Sequence, residues 1–152
     1  MEKAGILRTT EGNVADYDVI CADIRELGER YDIRAIAADR WNVNQIITQL
    51  QGDGFNMVQR AQGFASMSAP SKGLERLIMG HAVRHGTHPR LTWNVAKVAK
   101  QEDAAGNIKP SEAKSMQKID GVVSLIMGIG VASLSSLVEE SIYDTQGIRT
   151  LR

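Results

Sequence analysis

Residues 121–138, GVVSLIMGIGVASLSSLV, carry no charge over 18 positions. A stretch this apolar has two outlets: lipid, or burial beneath other parts of the same chain. Its length is near the lower limit of about 18 residues for a spanning helix. Three glycines and four serines interrupt it, and no basic cluster follows it. Burial is the better reading: a core helix from about Ile119 to Glu140, apolar nearly all round, with other elements covering most of its surface. The rest of the chain has to supply that cover.

The preceding sequence alternates helix and strand signals. An amphipathic helix is expected over Asp16–Tyr31, with Asp16 as its N-cap and Ile20, Ile24, Leu27 and Tyr31 on one apolar face. "IRAIAA" (Ile33–Ala38) reads as a buried strand ending at Asp39. Asn42–Gln51 is expected to be helical, with Val43, Ile46, Ile47 and Leu50 aligned, and Gly52-Asp53-Gly54 breaks it. "FNMVQRA" (Phe55–Ala61) reads as a second strand. "FASMSAPSKG" (Phe64–Gly73) is expected to be a loop, with Ser71 capping a helix through Leu74, Leu77, Ile78 and His81. "RHGTHPRL" (Arg84–Leu91) is read as another loop. Trp93–Glu112 is expected to form two extended arms around Gly106-Asn107. "GILRTTEGNV" (Gly5–Val14) looks extended, and residues 141–152 form a polar, peripheral tail. The order predicts one α/β domain over residues 1–152, with a parallel strand pair joined by a right-handed crossover. Two core strands are few, because sheets usually hold about four to six.

Composition narrows the function classes. Acids and bases balance at 18 each, which excludes whole-surface attraction to nucleic acid but not a local basic groove. The single Cys21 excludes an internal disulfide framework and a cysteine zinc site; beside Ile20 and Ile24 it reads as a small packing residue. No apolar signal-peptide core opens the chain, and no G-x-x-x-x-G-K-[ST] pattern marks an ATPase loop.

Two acids stand where chemistry gathers in α/β folds. Asp39 ends a strand, and ligands collect at the carboxyl ends of strands. Capping of the next helix by Asp39 or Asn42 is the competing structural role. Asp120, in "KIDGVVSLIMGIG", starts the apolar helix, where the helix dipole favours a carboxylate and Gly121 leaves space beside it. Hard oxygen donors of this kind suit a divalent metal. A pair of ions about 4 Å apart suits phosphodiester hydrolysis. His81, His85 and His88 lie close in sequence, but Gly86 and Pro89 break the segment, so they read as polar loop residues rather than a zinc site. Trp41 and Trp93 read as packing residues. The basic residues are scattered, and most belong to solvated surface. Arg40 and others near the two acids are candidates for phosphate contacts.

Four pieces carry a resemblance in order: "YDVICADIRELGERYDIRAIAADRWN", "QLQGDGFNMVQRAQGFASMSAPSKGLERLI", "HPRLTWNVAKV" and "GNIKPSEAKSMQKIDGVVSLIMGIG". Together they resemble the C-terminal nuclease domain of tailed-phage terminase large subunits, from about Gly5 to Gly147. The resemblance implies a ribonuclease H-like α/β fold, here an incomplete mixed sheet flanked by helices with a β-hairpin before the long C-terminal helix. It implies endonucleolytic cutting of double-stranded DNA during genome packaging, with Mg2+ or Mn2+. It places Asp39 on the family's second acid and Asp120 on its third. Gln62, Lys114 and Lys118 match polar positions near the family's site.

The family's first acid, borne on an earlier strand, has no counterpart here. Asp16, Asp18 and Asp23 lie on or before the first helix and do not replace it. The resemblance therefore implies an open edge on the Asp39 strand, and unpaired edges recruit partners. Homo-oligomerisation along that edge, cover by the chain's own N-terminal segment, or completion by an upstream polypeptide are the expected outcomes. The further partners it implies are the small terminase subunit and the portal, in the bacterial cytoplasm, without a membrane. A prophage remnant or assembly element without nuclease activity is the alternative.

Overall fold

Two short parallel strands lie at the centre of the computed structural model, which describes Thr9 and residues 15–40 and 43–139, with only the backbone of 135–139. The extended N-terminal piece, Trp41, Asn42 and the polar tail lie outside the described residues. β1 (Ile36–Asp39) pairs with β2 (Met57–Arg60) in register Ile36–Met57 through Asp39–Arg60. Between them runs α2 (Asn44–Gly52), the crossover helix, which buries Ile47 and Leu50. Gly54 follows at φ 90°, in the left-handed region where a Cβ is disfavoured. The parallel pair with a helix between its strands agrees with the sequence reading.

α1 (Tyr17–Arg30) starts as expected: the Asp16 carboxylate accepts from the Asp18 and Val19 amides at 3.0 and 3.2 Å. Its packing face differs. Ile20, Leu27 and Tyr31 are 37%, 43% and 59% exposed, whereas Cys21 is fully buried. The helix docks on α2 by its Cys21 side. The Cys21 thiol donates to Gln49 Oε1 at 3.2 Å, and Gln49 Nε2 donates to Asp18 at 3.2 Å. An Arg25–Asp53 ion pair at 2.7 Å ties α1 to the end of α2. These polar links fix a rotation about the helix axis that hydrophobic spacing does not specify.

The largest correction concerns Phe64–Gly73, which is helix and not loop. α3 runs over Phe64–Met79, with Pro70 inside it and Gly63 as N-cap. Ser71 sits mid-helix, buried, and caps nothing. The helix survives its proline because Met67, Ser68, Pro70, Ser71 and Leu74 are buried where it packs on α5 (Asp120–Glu139) and on the segment Ile108–Pro110. Packing of that kind outweighs a propensity deficit of about 3 kcal/mol. α3 stops at Gly80, and His81 adopts φ 52°, outside the helix.

α4 (Pro89–Lys97) is the second correction, since Trp93–Lys97 was expected to be extended. Pro89 occupies the first turn, where its missing N–H costs nothing, and His88 Nδ1 accepts from Leu91 N–H at 3.4 Å. The hairpin is shorter than expected: β3 (Lys100–Glu102) pairs antiparallel with β4 (Ile108–Pro110). Its turn is held by Asp103, which accepts from the Ala105 and Asn107 amides at 2.9 Å each, while Gly106 takes φ 74°. Among the described residues, parallel and antiparallel pairing are both present, but in two separate two-stranded sheets rather than one mixed sheet.

α5 is the hub. Val122, Val123, Ile126 and Met127 join Met67, Leu74 and Ile119 in the main core, with Ala37, Val98 and Leu125 packed against it. Cover is one-sided. Gly121, Ser124, Gly128 and Ala132 form an exposed stripe, whereas Gly130 is buried where Pro70 of α3 approaches. Among the described residues no helix is long and apolar enough to cross a membrane.

Candidate active site

Side chains alternate across a strand, so Asp39 shares the sheet face of Ala37, which packs against the α5 core. Arg60, its register partner, reaches the same layer: its Nη2 lies 3.1 Å from where a Cβ on Gly130 of α5 would stand. Asp39 is half-buried at the carboxyl end of β1. Its Oδ2 accepts from Gln62 Nε2 at 2.6 Å. Gln62 lies on the short connector from β2 to α3, so both strand ends meet here. Asp39 is no helix cap, because α2 has Val43 at its N-cap without a side-chain bond.

The hairpin closes over this point. Lys109 Nζ donates to the Gln62 carbonyl at 3.4 Å and lies 5.3 Å from the centre of the Phe64 ring. A polar cleft of about 280 Å³ opens alongside, lined by Gln62, Gln101, Lys109, Ser111 and Glu112 among others. Lys114 is exposed, and its amide donates to the cleft residue Ser111 at Oγ, 3.4 Å away. Arg40 is exposed, one residue past Asp39.

Asp120 belongs to a second polar knot. It is exposed at the first turn of α5, where the macrodipole favours its charge. The next amide, Gly121 N–H, donates to Asn94 Oδ1 at 2.9 Å, and Asn94 Nδ2 donates to the Lys118 carbonyl at 3.1 Å. Asn94 is 1% exposed and Ile119 fully buried, so Lys118 and Asp120 flank a core anchor and both point outward. The structure thus joins Asp39 to Gln62 directly, bonds the Lys114 amide to Ser111 of the cleft, and holds Asp120 with Lys118 on the α4–α5 junction.

Among the described residues no three His, Cys, Asp or Glu side chains gather closely enough to hold a metal ion. His81 and His85 instead border an apolar pocket with Leu74, Ile78 and Leu125. Sequence reading missed Asn94 and Glu112 and left Lys109 among the scattered bases. An isolated polar residue in "WNVAK" gives no spacing signal, and the cleft exists only once hairpin and connector meet.

A family profile described as "Terminase large subunit, endonuclease domain" matches residues 2–136. The chain belongs to this family. Family membership agrees with the resemblance read from the sequence. It is 37% identical over 133 residues to "Terminase, large subunit" of Enterobacteria phage HK97, covering 86% of this chain and 26% of that protein. It is 29% identical to "Protein YmfN" of Escherichia coli K12, covering 97% of this chain and 33% of that protein. The crystal structure of the HK97 bacteriophage large terminase superposes with a TM-score of 0.78 at 37% identity, covering 85% of this chain and 27% of that one. The chain therefore spans about a quarter to a third of the length of these relatives, and its α/β fold is that of a terminase nuclease domain.

Proposed function

We propose that this chain is the nuclease module of a DNA-packaging terminase, of ribonuclease H-like fold, which cleaves double-stranded DNA endonucleolytically with Mg2+ or Mn2+. The observation that carries the reading is the half-buried Asp39 carboxylate at the end of a parallel strand, aimed by a 2.6 Å bond from Gln62, in a chain of the endonuclease family. Asp39 and Asp120 are hard oxygen donors, and Mg2+ is commonly held by one or two carboxylates with water and substrate phosphate completing its shell. Each carboxylate is by chemistry a donor that suits such an ion, and water and substrate phosphate would have to complete the shell. Bound there, the ion supplies Lewis-acid polarisation of a phosphoryl oxygen. Gln62 keeps the Asp39 carboxylate in one orientation, and Arg40, Lys114 and Lys118 are exposed cations suited to backbone phosphates. Packaging partners, the small terminase subunit and the portal, follow from the same reading, as does work in the bacterial cytoplasm.

Plasmid cleavage in Mn2+ tests it, with the parent beside Asp39→Ala and Asp120→Ala. Loss of nicking in both variants supports the module; nicking that persists in both sinks it. The second reading, a chain that keeps the fold without nuclease activity, is favoured by the lack of a three-acid group among the described residues. An inert parent that binds no Mn2+ in calorimetry would decide for it.

A further inference from the structure

Lys109 differs from its neighbour on the hairpin. Lys100 pairs with Glu75 at 3.3 Å. Lys109 is half-buried, and among the described residues no carboxylate pairs with it. Its ammonium is steadied instead by the Gln62 carbonyl and the Phe64 ring face, a carbonyl dipole and a cation–π contact that leave the charge uncancelled. An ammonium has three donors, and the Gln62 carbonyl takes one.

Position gives that charge a use. Gln62 holds both groups: its side-chain amide grips Asp39 and its backbone carbonyl grips Lys109. Gln62 also lines the cleft with Lys109, so the cleft and the Asp39 carboxylate share this residue. Glu112 also lines the cleft, but it is exposed, where water and salt screen it. We propose that Lys109, through its link to Gln62, is a phosphate-binding residue that positions duplex DNA across the hairpin cleft beside Asp39. This rests on the nuclease reading and adds a specific anchor to it.

The test is a salt series, about 50 to 200 mM, of fluorescence anisotropy with a short labelled duplex in EDTA, where no cleavage occurs. Lys109→Gln is expected to lower the slope of log K against log salt by about 0.9, the value of one lost phosphate contact. Lys109→Arg should keep the parent slope, as should Lys100→Gln, whose charge is already paired. Thermal unfolding checks that each variant is folded. A parent slope retained in Lys109→Gln, or an equal loss in folded Lys109→Arg, overturns the anchor and leaves the nuclease reading standing. A parent that binds no duplex at any salt overturns both.

Discussion

Helix α5 contains a test of sign. Alanine for glycine inside a helix normally stabilises, by about 0.8–1.0 kcal/mol. At Gly121 the added Cβ would stand 2.5 Å from Asn94 Oδ1, a contact that forces the amide to move. Asn94 is 1% exposed and bonds both Gly121 N–H and the Lys118 carbonyl. Moving it leaves buried polar groups unsatisfied, at about 1–3 kcal/mol each. The propensity gain is smaller in the first turn than mid-helix, so Gly121→Ala should destabilise by about 1–3 kcal/mol net. For a chain of this size that is a fall in Tm of about 2–10 °C. Gly128 is the internal control: nothing lies within 4 Å of the point where an added methyl would stand, so Gly128→Ala should raise stability by about 0.5–1 kcal/mol. Urea and thermal melts followed by circular dichroism measure both. A Gly121→Ala protein as stable as the parent would refute the claim that Asn94 locks the start of α5.

Leu50 is fully buried in α2, and Leu50→Ala should cost about 2–5 kcal/mol in a urea melt. Gln62→Ala should lower Mn2+-dependent nicking by about 10–100-fold, the range for a lost outer partner of a metal-binding group, while leaving Tm within about 2 °C, since the bond is exposed. The Asn107 side-chain amide, and then its backbone amide, hold the Asp103 carboxyl below its usual pKa. A depressed folded pKa gives a contribution that is complete above the ordinary carboxylate value, about 3.9, and lost as pH falls through the lowered one. The Ala105 and Asn107 amide shifts should therefore titrate below that ordinary value in NMR, and titration at it would contradict the hairpin geometry.

Local rules made much of this chain legible. Asp16 before an apolar period capped α1, Gly52-Asp53-Gly54 ended α2, and Gly106-Asn107 sat in a hairpin turn, because caps and turns depend on neighbours in sequence. Asp39 at a strand end followed from an apolar run that stops on an acid. The failures have a common cause. Phe64–Gly73 is rich in small residues and proline, which read as loop. Beside α5 those residues form a close-fitting helical face. Trp93–Lys97 reads as one arm of the hairpin around Gly106-Asn107 until Pro89 and His88 start a helix upstream. The rotation of α1, which leaves Ile20 and Tyr31 outward, is set by Cys21, Gln49 and Arg25 meeting partners on another helix.

The uncharged run 121–138 determined by itself that a long helix would have to be covered, and the two acids were visible without coordinates. Which side of that helix is covered, where Lys109 lies relative to Asp39, and why Gly121 is required beside Asn94 were decided only in three dimensions. The reason is physical: periodicity records which residues avoid water, while contact between residues far apart in sequence depends on how packed elements rotate and cross.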